Sequence, residues 1–177
     1  MILFTADWHI KLGQKNVPVD WAKKRYNEFF KQMHYQAESC EMHIIGGDLF
    51  DRIPSMEELA LFFSFVRNVK KPTLIYDGNH EATRKNRTFF SQLKQASRDI
   101  NPLVHVVDIS YIDDGLGFGI LPYAELHKKE SIEQFDTTKP LFTHVRGEIP
   151  PHVKPEVDLD RFKDFPVVFA GDLHAHS

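Results

Sequence analysis

Side chains that commonly bind metal ions recur along this chain wherever a short apolar run ends. They follow the runs ILFTA, HIIGG, LIYDG, LFT and VVFAG, and in chain order they are Asp7, His9, Asp48, Asn79, His80, His144, His174 and His176. A lone aspartate after a strand is ordinarily a turn residue, and a lone histidine is ordinarily a satisfied, partly buried side chain. In α/β sheets, however, ligands bind outside the carboxyl ends of strands, so five clusters at equivalent positions predict one common site.

The donor types at these positions indicate a centre with two divalent metal ions. Carboxylate, carboxamide and imidazole groups without a thiolate favour Mn²⁺, with Mg²⁺, Fe²⁺ and Zn²⁺ as alternatives. Two ions about 3.5 to 4 Å apart need a bridging ligand, for which Asp48 is the natural choice, and they activate a shared water to attack phosphorus in line. Asp7 and His9 are two residues apart, so both reach the same side of an extended strand. His174 and His176 repeat this spacing.

The elements that must position these residues follow an alternating pattern. Short apolar runs alternate with amphipathic stretches, which is typical of an α/β domain whose strands are covered on their outer faces. The predicted strands are Ile2–Ala6, Met42–Ile45, Thr73–Tyr76, Val104–Val107, Gly117–Leu121, Leu141–His144 and Val167–Ala170. Apolar residues at intervals of three and four predict a helix over Trp21–Cys40. A capping box of Ser55 and Glu58 begins a second helix, and a third covers about Asn86–Arg98.

Length, composition and charge narrow the class of protein. A chain of 177 residues predicts one domain with its own core. The net charge of −3 excludes a globally basic nucleic-acid coat protein. The single cysteine, Cys40, cannot form an intramolecular disulfide and is expected to be buried. No apolar run is long enough to span a bilayer, and MILFTADWHI lacks the pattern of a signal peptide, so we expect a cytoplasmic protein without a membrane partner.

Five motifs together resemble those of the calcineurin-like metallophosphoesterases. In order they are DxH (Asp7, His9), GDLFD (Gly47 to Asp51), GNHE (Gly78 to Glu81), a strand-end histidine (His144) and HxH (His174, His176). Within that superfamily, DWHIKLG and GDLFDRIPS are most similar to the SbcD-type nucleases of DNA double-strand-break repair, including short phage versions. The resemblance spans nearly the whole chain. It implies an α/β metallophosphoesterase-type sandwich in which two mixed β-sheets are flanked by helices, in four layers.

The resemblance also implies a role for each ligand. One metal ion would be held by Asp7, His9, Asp48 and His176. The other would be held by Asp48, Asn79, His144 and His174. His80 would lie beside the pair without binding it, and would stabilise the pentavalent phosphate or protonate the leaving oxygen.

Four further residues have two readings each. The carboxylate of Asp51 would orient the far ring nitrogen of His80, or Asp51 is a turn residue. Arg52, Arg84 and Arg146 would contact phosphates of the substrate, since positive charges around the site suit a polyanionic backbone. Taken singly, each arginine is equally well explained as a solvated surface charge.

The sequence departs from the family pattern in two places. The nucleases have Gly directly before the first His of the last motif, whereas Asp172 and Leu173 stand between Gly171 and His174 here. This indicates a longer loop or a supporting role for Asp172. The chain also ends one residue after His176, where the family continues with strands, a DNA-capping domain and an ATPase-docking segment. We therefore expect residues 1–177 to form a single catalytic domain, either truncated or minimal, without those two parts.

The resulting leading hypothesis is a Mn²⁺-dependent DNA nuclease, acting as exonuclease, endonuclease or both. The resemblance implies DNA repair, recombination or phage DNA processing, with an SbcC-like SMC-type ATPase as partner, and it leaves a homodimer open. A phage protein of this kind would work in the host cytoplasm. One alternative is a small-molecule phosphodiesterase or phosphatase of the same superfamily, because the metal core is shared. Another is a non-catalytic scaffold subunit that binds DNA ends.

Overall fold

The fold is built from ten strands and four helices within the residues that the computed structural model describes. These are residues 1–84, 87–128, 130–148 and 154–172, without the side chains of residues 83, 84 and 87. The strands are β1 (Ile2–Thr5), β2 (Met42–Gly46), β3 (Thr73–Tyr76), β4 (Ala82–Arg84), β5 (Arg87–Thr88), β6 (Val104–Val107), β7 (Tyr111–Asp113), β8 (Phe118–Leu121), β9 (Leu141–His144) and β10 (Val168–Gly171). The helices are α1 (Val19–Ala37), α2 (Met56–Asn68), α3 (Phe90–Ile100) and α4 (Tyr123–Leu126), and a 3₁₀ turn covers Leu159–Phe162.

The first sheet consists of parallel strands in the order β1-β2-β3-β6. Each connection between neighbouring strands contains one of the helices α1, α2 and α3. All three helices cover the same face, where Phe30, Phe62 and Phe90 pack with Ile45 and Ile75 of the sheet. The strands are rich in buried aliphatic residues because both of their faces are covered.

The second sheet packs on the other face of the first. Its order is β10-β9-β8-β7, with β7 antiparallel and the other three strands parallel. Ile44, Leu74 and Phe142 belong to the apolar layer between the sheets, and the Tyr76 hydroxyl donates a hydrogen bond of 2.8 Å to the Thr143 carbonyl across it. A separate cluster that contains Phe162 covers the outer face.

This architecture confirms the predicted α/β sandwich of two sheets with helices outside them. Within the described residues only the second sheet is mixed, because every pairing in the first is parallel. The seven predicted strands are present within one residue at each end. Over the described part of the chain, no helix has the length and apolar character needed to cross a membrane.

The helix boundaries show where the sequence pattern was informative. The capping box is present: Ser55 Oγ accepts from the Glu58 amide at 3.2 Å, and Glu58 Oε2 accepts from the Ser55 amide at 2.7 Å. The third helix begins at Phe90 and not near residue 86 as predicted. The short hairpin of β4 and β5 occupies the preceding residues, and the Thr88 hydroxyl accepts from the Phe90 amide at 3.0 Å at the helix start.

Candidate metal centre

The loops after β1 and β2 run side by side at the carboxyl edge of the first sheet. The Asp7 amide donates to the Gly47 carbonyl at 3.1 Å, and the His9 amide donates to the Asp48 carbonyl at 2.9 Å. Parallel strands end at the same edge, so these main-chain bonds continue the sheet pairing into the loops. The predicted residues of the first two motifs therefore lie beside each other.

The backbone of this region is unusual at the predicted ligands. Asp7, His9 and Asp48 have φ angles of 56°, 46° and 48°, and Asp172 at the end of β10 has 65°. The left-handed region is uncommon for residues with a Cβ and costs roughly 1 to 3 kcal/mol at each position. Such strain persists where the surrounding structure holds it in place, and its clustering is typical of functional sites.

Asp48 is the centre of the arrangement. Its Oδ2 atom lies 3.4 Å from His144 Nε2, 3.7 Å from His80 Nε2 and 3.9 Å from His9 Nε2. Two sets of donors therefore share this carboxylate, and within each set the donor atoms lie within 4.8 Å of one another. The sets are His9, Asp48 and His80, and Asp7, Asp48 and His144. Asp48 is only 1% exposed and lies between the two donor sets. A pair of bridged metal ions requires a shared carboxylate in such a position.

Asn79 joins the second set through its amide. One end of the amide lies 2.9 Å from His144 Nε2 and 3.1 Å from Asp48 Oδ2. With the NH₂ group at this end, Asn79 donates to Asp48 and its oxygen accepts from Arg146 Nη2 at 3.0 Å. With the oxygen at this end, it faces the Asp48 carboxylate, a contact between acceptors that a cation would relieve. The second orientation makes Asn79 a ligand beside Asp48 and His144.

The electrostatics of the centre also favour a cation. Burial alone would lower the pKa of His144, but its hydrogen bond with Asp48, the charge of Asp48, the Gly46 carbonyl and Asp7 together raise it to about 9. Burial likewise raises the pKa of Asp7, although the Asp172 amide donates to both of its carboxylate oxygens, at 3.1 and 3.3 Å. The centre thus attracts positive charge, which a proton on His144 supplies when no metal ion is bound.

Two glycines allow the side chains of Asp48 and His144 to pack closely against the backbone. A Cβ at Gly47 would collide with the His144 ring, and Gly47 also has a φ of 81°. A Cβ at Gly78 would collide with the Asp48 carboxylate. The glycines of GGD and DGN are therefore needed for the close packing of Asp48 and His144, in addition to the turns that they form.

Glu81 is a functional candidate that the sequence reasoning did not single out. Its carboxylate accepts from the Asp48 amide at 3.0 Å, the Phe50 amide at 2.7 Å and the Gly78 amide at 2.8 Å. Burial and the charge of Asp48 raise the pKa of Glu81 to about 8, while the amides oppose this shift. Glu81 therefore ties the loop after β2 to the loop after β3. Its place in the GNHE motif was the available signal.

His80 is oriented by Asp51, but through a different atom from the one predicted. His80 Nδ1 lies 2.6 Å from the Asp51 carbonyl oxygen, so the ring donates to the main chain. The Asp51 carboxylate pairs with Lys11 Nζ at 2.6 Å, and this is why it does not take the expected position. With the proton on Nδ1, the Nε2 atom of His80 faces the centre.

Two of the three predicted phosphate-binding arginines, Arg52 and Arg146, are held by carboxylates. Arg146 Nε donates to Asp172 Oδ2 at 3.1 Å, which places its guanidinium between Asp172 and Asn79. Arg52 contacts Glu58 at 3.3 Å and Asp51 at 3.8 Å, with almost half of its side chain exposed. The side chain of Arg84 lies outside the described part of the structure. Arg146 is thus the only one of the three, within the described side chains, that is placed at the centre.

The last motif is described only at its first residues. Register pairs Gly171 of β10 with His144 of β9, which directs the following residue towards Asp7. Asp172 occupies that position and is 7% exposed. His174 and His176 lie outside the described residues, so their predicted roles as ligands stay predictions.

Comparison with known proteins decides the family. The family model of the calcineurin-like phosphoesterases matches residues 1–176. This chain belongs to that family. The resemblance found in the sequence is therefore confirmed, and members of this family use divalent metal ions.

Two individual proteins are similar to this chain. A protein of Escherichia phage T5 named "Probable exonuclease subunit 1" is 40% identical over 183 aligned positions, which cover 99% of this chain and 54% of that protein. The chain therefore spans about half the length of this relative. The solved structure of a novel archaeal phosphodiesterase is 19% identical, covers 96% of this chain and 81% of its own, and has a TM-score of 0.49.

The residues of this chain fit the divalent metal ions that its family uses. The described donors are oxygen and nitrogen atoms, and Cys40 is buried elsewhere. His9 Nε2 lies 3.9 Å from Asp48 Oδ2, so this ring nitrogen faces the centre. The oxygen and nitrogen donors around the buried Asp48 carboxylate therefore fit divalent cations.

Proposed function

We propose that the chain is a two-metal phosphodiesterase domain of the SbcD type that cleaves DNA, as an exonuclease, an endonuclease or both. The observation that carries the proposal is Asp48, a buried carboxylate shared by two donor sets at one edge of the sheet. The phage T5 relative, whose name describes an exonuclease subunit, supports DNA as the substrate. DNA repair, recombination or phage DNA processing, in the cytoplasm of a host, is the setting that we propose.

The proposed ligands divide into two sets with Asp48 in common, which differ from the donor sets of the structure in placing Asp7 with His9 and in leaving His80 unassigned to an ion. One ion is assigned to Asp7, His9, Asp48 and His176. The other is assigned to Asp48, Asn79, His144 and His174. When bound, the ions supply positive charge to the phosphate and lower the pKa of a water. We propose Mn²⁺, because the donors are carboxylate, carboxamide and imidazole groups.

Two side chains of the protein act on the substrate: His80 transfers a proton, and Arg146 binds a phosphate. His80 donates from Nδ1 to the Asp51 carbonyl, and its Nε2 faces the phosphate position. In the doubly protonated form of the ring, the Nε2 proton stabilises negative charge on the phosphate or passes to the leaving oxygen, and the ring is left neutral with its proton on Nδ1. The guanidinium of Arg146 lies beside Asn79 and is placed to contact a substrate phosphate. Residues 1–177 form the catalytic domain in this proposal, and an SMC-type ATPase of the SbcC kind is its proposed partner.

A panel of metals and substrates tests the proposal. The protein is supplied with Mn²⁺, Mg²⁺ or Zn²⁺ and assayed on linear duplex DNA, single-stranded DNA and a chromogenic diester. We expect DNA cleavage that is strongest with Mn²⁺ and is abolished in Asp48→Asn. Asp99→Asn, an exposed aspartate on α3, is the matched control and should retain activity.

Each contrary result has a distinct meaning. Hydrolysis of the small diester without DNA cleavage would favour a small-molecule phosphodiesterase. DNA binding without hydrolysis under any metal would favour the scaffold subunit. Cleavage that persists in Asp48→Asn would remove the bridging role on which the proposal depends.

A further inference from the structure

Two grooves of nearly equal size flank helix α1, and only one of them opens onto the metal centre. The first, here called the α1 groove, has a volume of about 620 Å³ and is lined by Asp7 and His9 on one side and by Trp21 and Arg25 on the other. The second has a volume of about 610 Å³ and is lined by residues such as Tyr35. Volumes of this size are typical of pockets for small organic ligands.

An exposed aromatic ring and a cation form the outer wall of the α1 groove. Trp21 is 53% exposed, which is unusual for a side chain of its size. The Arg25 guanidinium lies 5.5 Å from the centroid of the Trp21 ring. Buried Trp8 and half-buried Phe29 line the groove beneath them and pack edge-to-face at 5.0 Å. The groove therefore has a packed aromatic floor, and its outer wall offers an exposed π face and a positive charge.

The position of the α1 groove distinguishes it from the second groove. Among the described residues, no carboxylate forms an ion pair with Arg25, so its charge is available to a ligand. In the second groove Lys31 pairs with Glu28 at 2.6 Å and Lys70 pairs with Glu38 at 3.8 Å, whereas Lys24 pairs with no carboxylate in the described ranges. Of these two grooves, the α1 groove is the one that combines an unpaired cation and an exposed aromatic ring with candidate ligands of a metal ion.

We propose that the α1 groove binds an unpaired nucleotide of DNA next to the metal centre, with its base stacked on Trp21 and its phosphate at Arg25. The inference rests on the proposed function, because it names the form of DNA that the same site takes. Every base has a π face, so stacking on an aromatic ring binds single strands without sequence preference. An arginine beside the ring adds attraction for the phosphate. A base-paired strand cannot present a base to this groove without unpairing.

Oligonucleotide binding without metal tests the inference separately from catalysis. Fluorescein-labelled dT12 and a 12-mer of abasic sites with the same phosphates are titrated with the protein in EDTA, and anisotropy gives the two Kd values. We expect dT12 to bind about tenfold more tightly, as for one base stacked on an aromatic ring. In Trp21→Ala this ratio should fall to about one, and Trp21→Phe should retain most of it.

Two further variants separate the base from the backbone contribution. Arg25→Ala should weaken binding of both oligomers. The slope of log Kd against log salt concentration should also fall by about one, because one phosphate contact is lost. Tyr35→Ala removes an even more exposed aromatic ring from the same helix, in the second groove, and should leave the ratio unchanged.

The outcomes distinguish this inference from the proposed function. A ratio near one in the wild-type protein, or a ratio unchanged by Trp21→Ala, would overturn the groove assignment even if DNA is cleaved. A Trp21-dependent ratio would support it even if no metal restores cleavage. If Trp21→Ala changes the oligomeric state in gel filtration and not the ratio, the groove is a protein interface and the inference fails.

Discussion

The backbone amide of Asp48 donates a hydrogen bond of 3.0 Å to Glu81 Oε2, and both side chains are almost completely buried. The same carboxylate holds the amides of Phe50 and Gly78. Two loops that carry candidate metal ligands are thus fixed by one residue that is not itself assigned to a metal ion. Glu81 is a positioning residue whose removal should affect the centre indirectly.

Replacing Glu81 with Gln tests this positioning role. The amide would place an NH₂ group against backbone N–H donors and leave at least one of them unsatisfied in a buried site. We expect a loss of about 2 kcal/mol in the free energy of unfolding, measured in urea, and weaker metal binding by calorimetry. Glu57→Gln, at an exposed glutamate on α2, is the control and should change neither quantity. Unchanged metal affinity in Glu81→Gln would contradict the role.

The shared carboxylate predicts a pattern of metal stoichiometry. We expect two Mn²⁺ ions per wild-type chain after gel filtration, measured by mass spectrometry of the metal content. His9→Ala removes a donor from one set and should retain one ion, whereas Asp48→Asn affects both sets and should retain neither. If Asp48→Asn keeps one ion at full occupancy, Asp48 is not a bridge.

Substitution of His80 should strongly reduce hydrolysis without abolishing metal binding. Because it is assigned to the phosphate and not to an ion, His80→Ala should keep both metal ions while phosphodiester hydrolysis falls by about 10² to 10⁴-fold. Metal content and steady-state kinetics on the same preparation check this. Loss of one ion in His80→Ala would instead make His80 a ligand of the set that it forms with His9 and Asp48.

The Asp51→Ala variant tests how much the carboxylate of Asp51 supports the imidazole of His80. The atom that accepts from His80 is a main-chain carbonyl, so Asp51→Ala keeps this acceptor and removes only the carboxylate. We expect a fall of less than about tenfold in kcat, far smaller than that of His80→Ala, because general acid catalysis depends on the ring itself. An equal loss in the two variants would show that the carboxylate, and not the carbonyl, supports the imidazole.

His43 predicts an effect of pH on stability away from the centre. Burial, and to a lesser degree His34, lowers the pKa of His43 from 6.5 to about 4. Since the unfolded chain binds more protons at this position, the contribution of His43 to the free energy of unfolding should fall by about 3 kcal/mol as pH decreases from 6.5 to 4. Glu81 acts in the opposite direction, because its raised pKa stabilises the folded chain as pH falls. Urea unfolding of the wild type and of His43→Gln at several pH values isolates the contribution of His43 as the difference between the two curves, and His105→Gln, at a half-buried position on β6, should follow the wild type.

The strand ends could be predicted from sequence because parallel strands impose a common edge. Asp7, Asp48 and His144 are distant in sequence, yet each follows an apolar run, and the topology brings them together. Contacts through main-chain atoms could not be predicted, since spacing says nothing about which oxygen of Asp51 meets His80. The role of Glu81 was equally hidden, because a buried glutamate is recognised only by the amides around it. Exposure of Trp21 depends on how α1 lies on the sheet.

The hydrogen bond from Tyr76 to Thr143 spans the two sheets one residue before His144. Donors from both sheets therefore have to meet before the centre exists. During synthesis, the first sheet can form as soon as β6 has emerged, but it holds only part of the ligand set until β9 docks on it. Acquisition of metal is thus a late event in the maturation of this chain, and a nascent chain stalled before β9 would be unable to complete the centre.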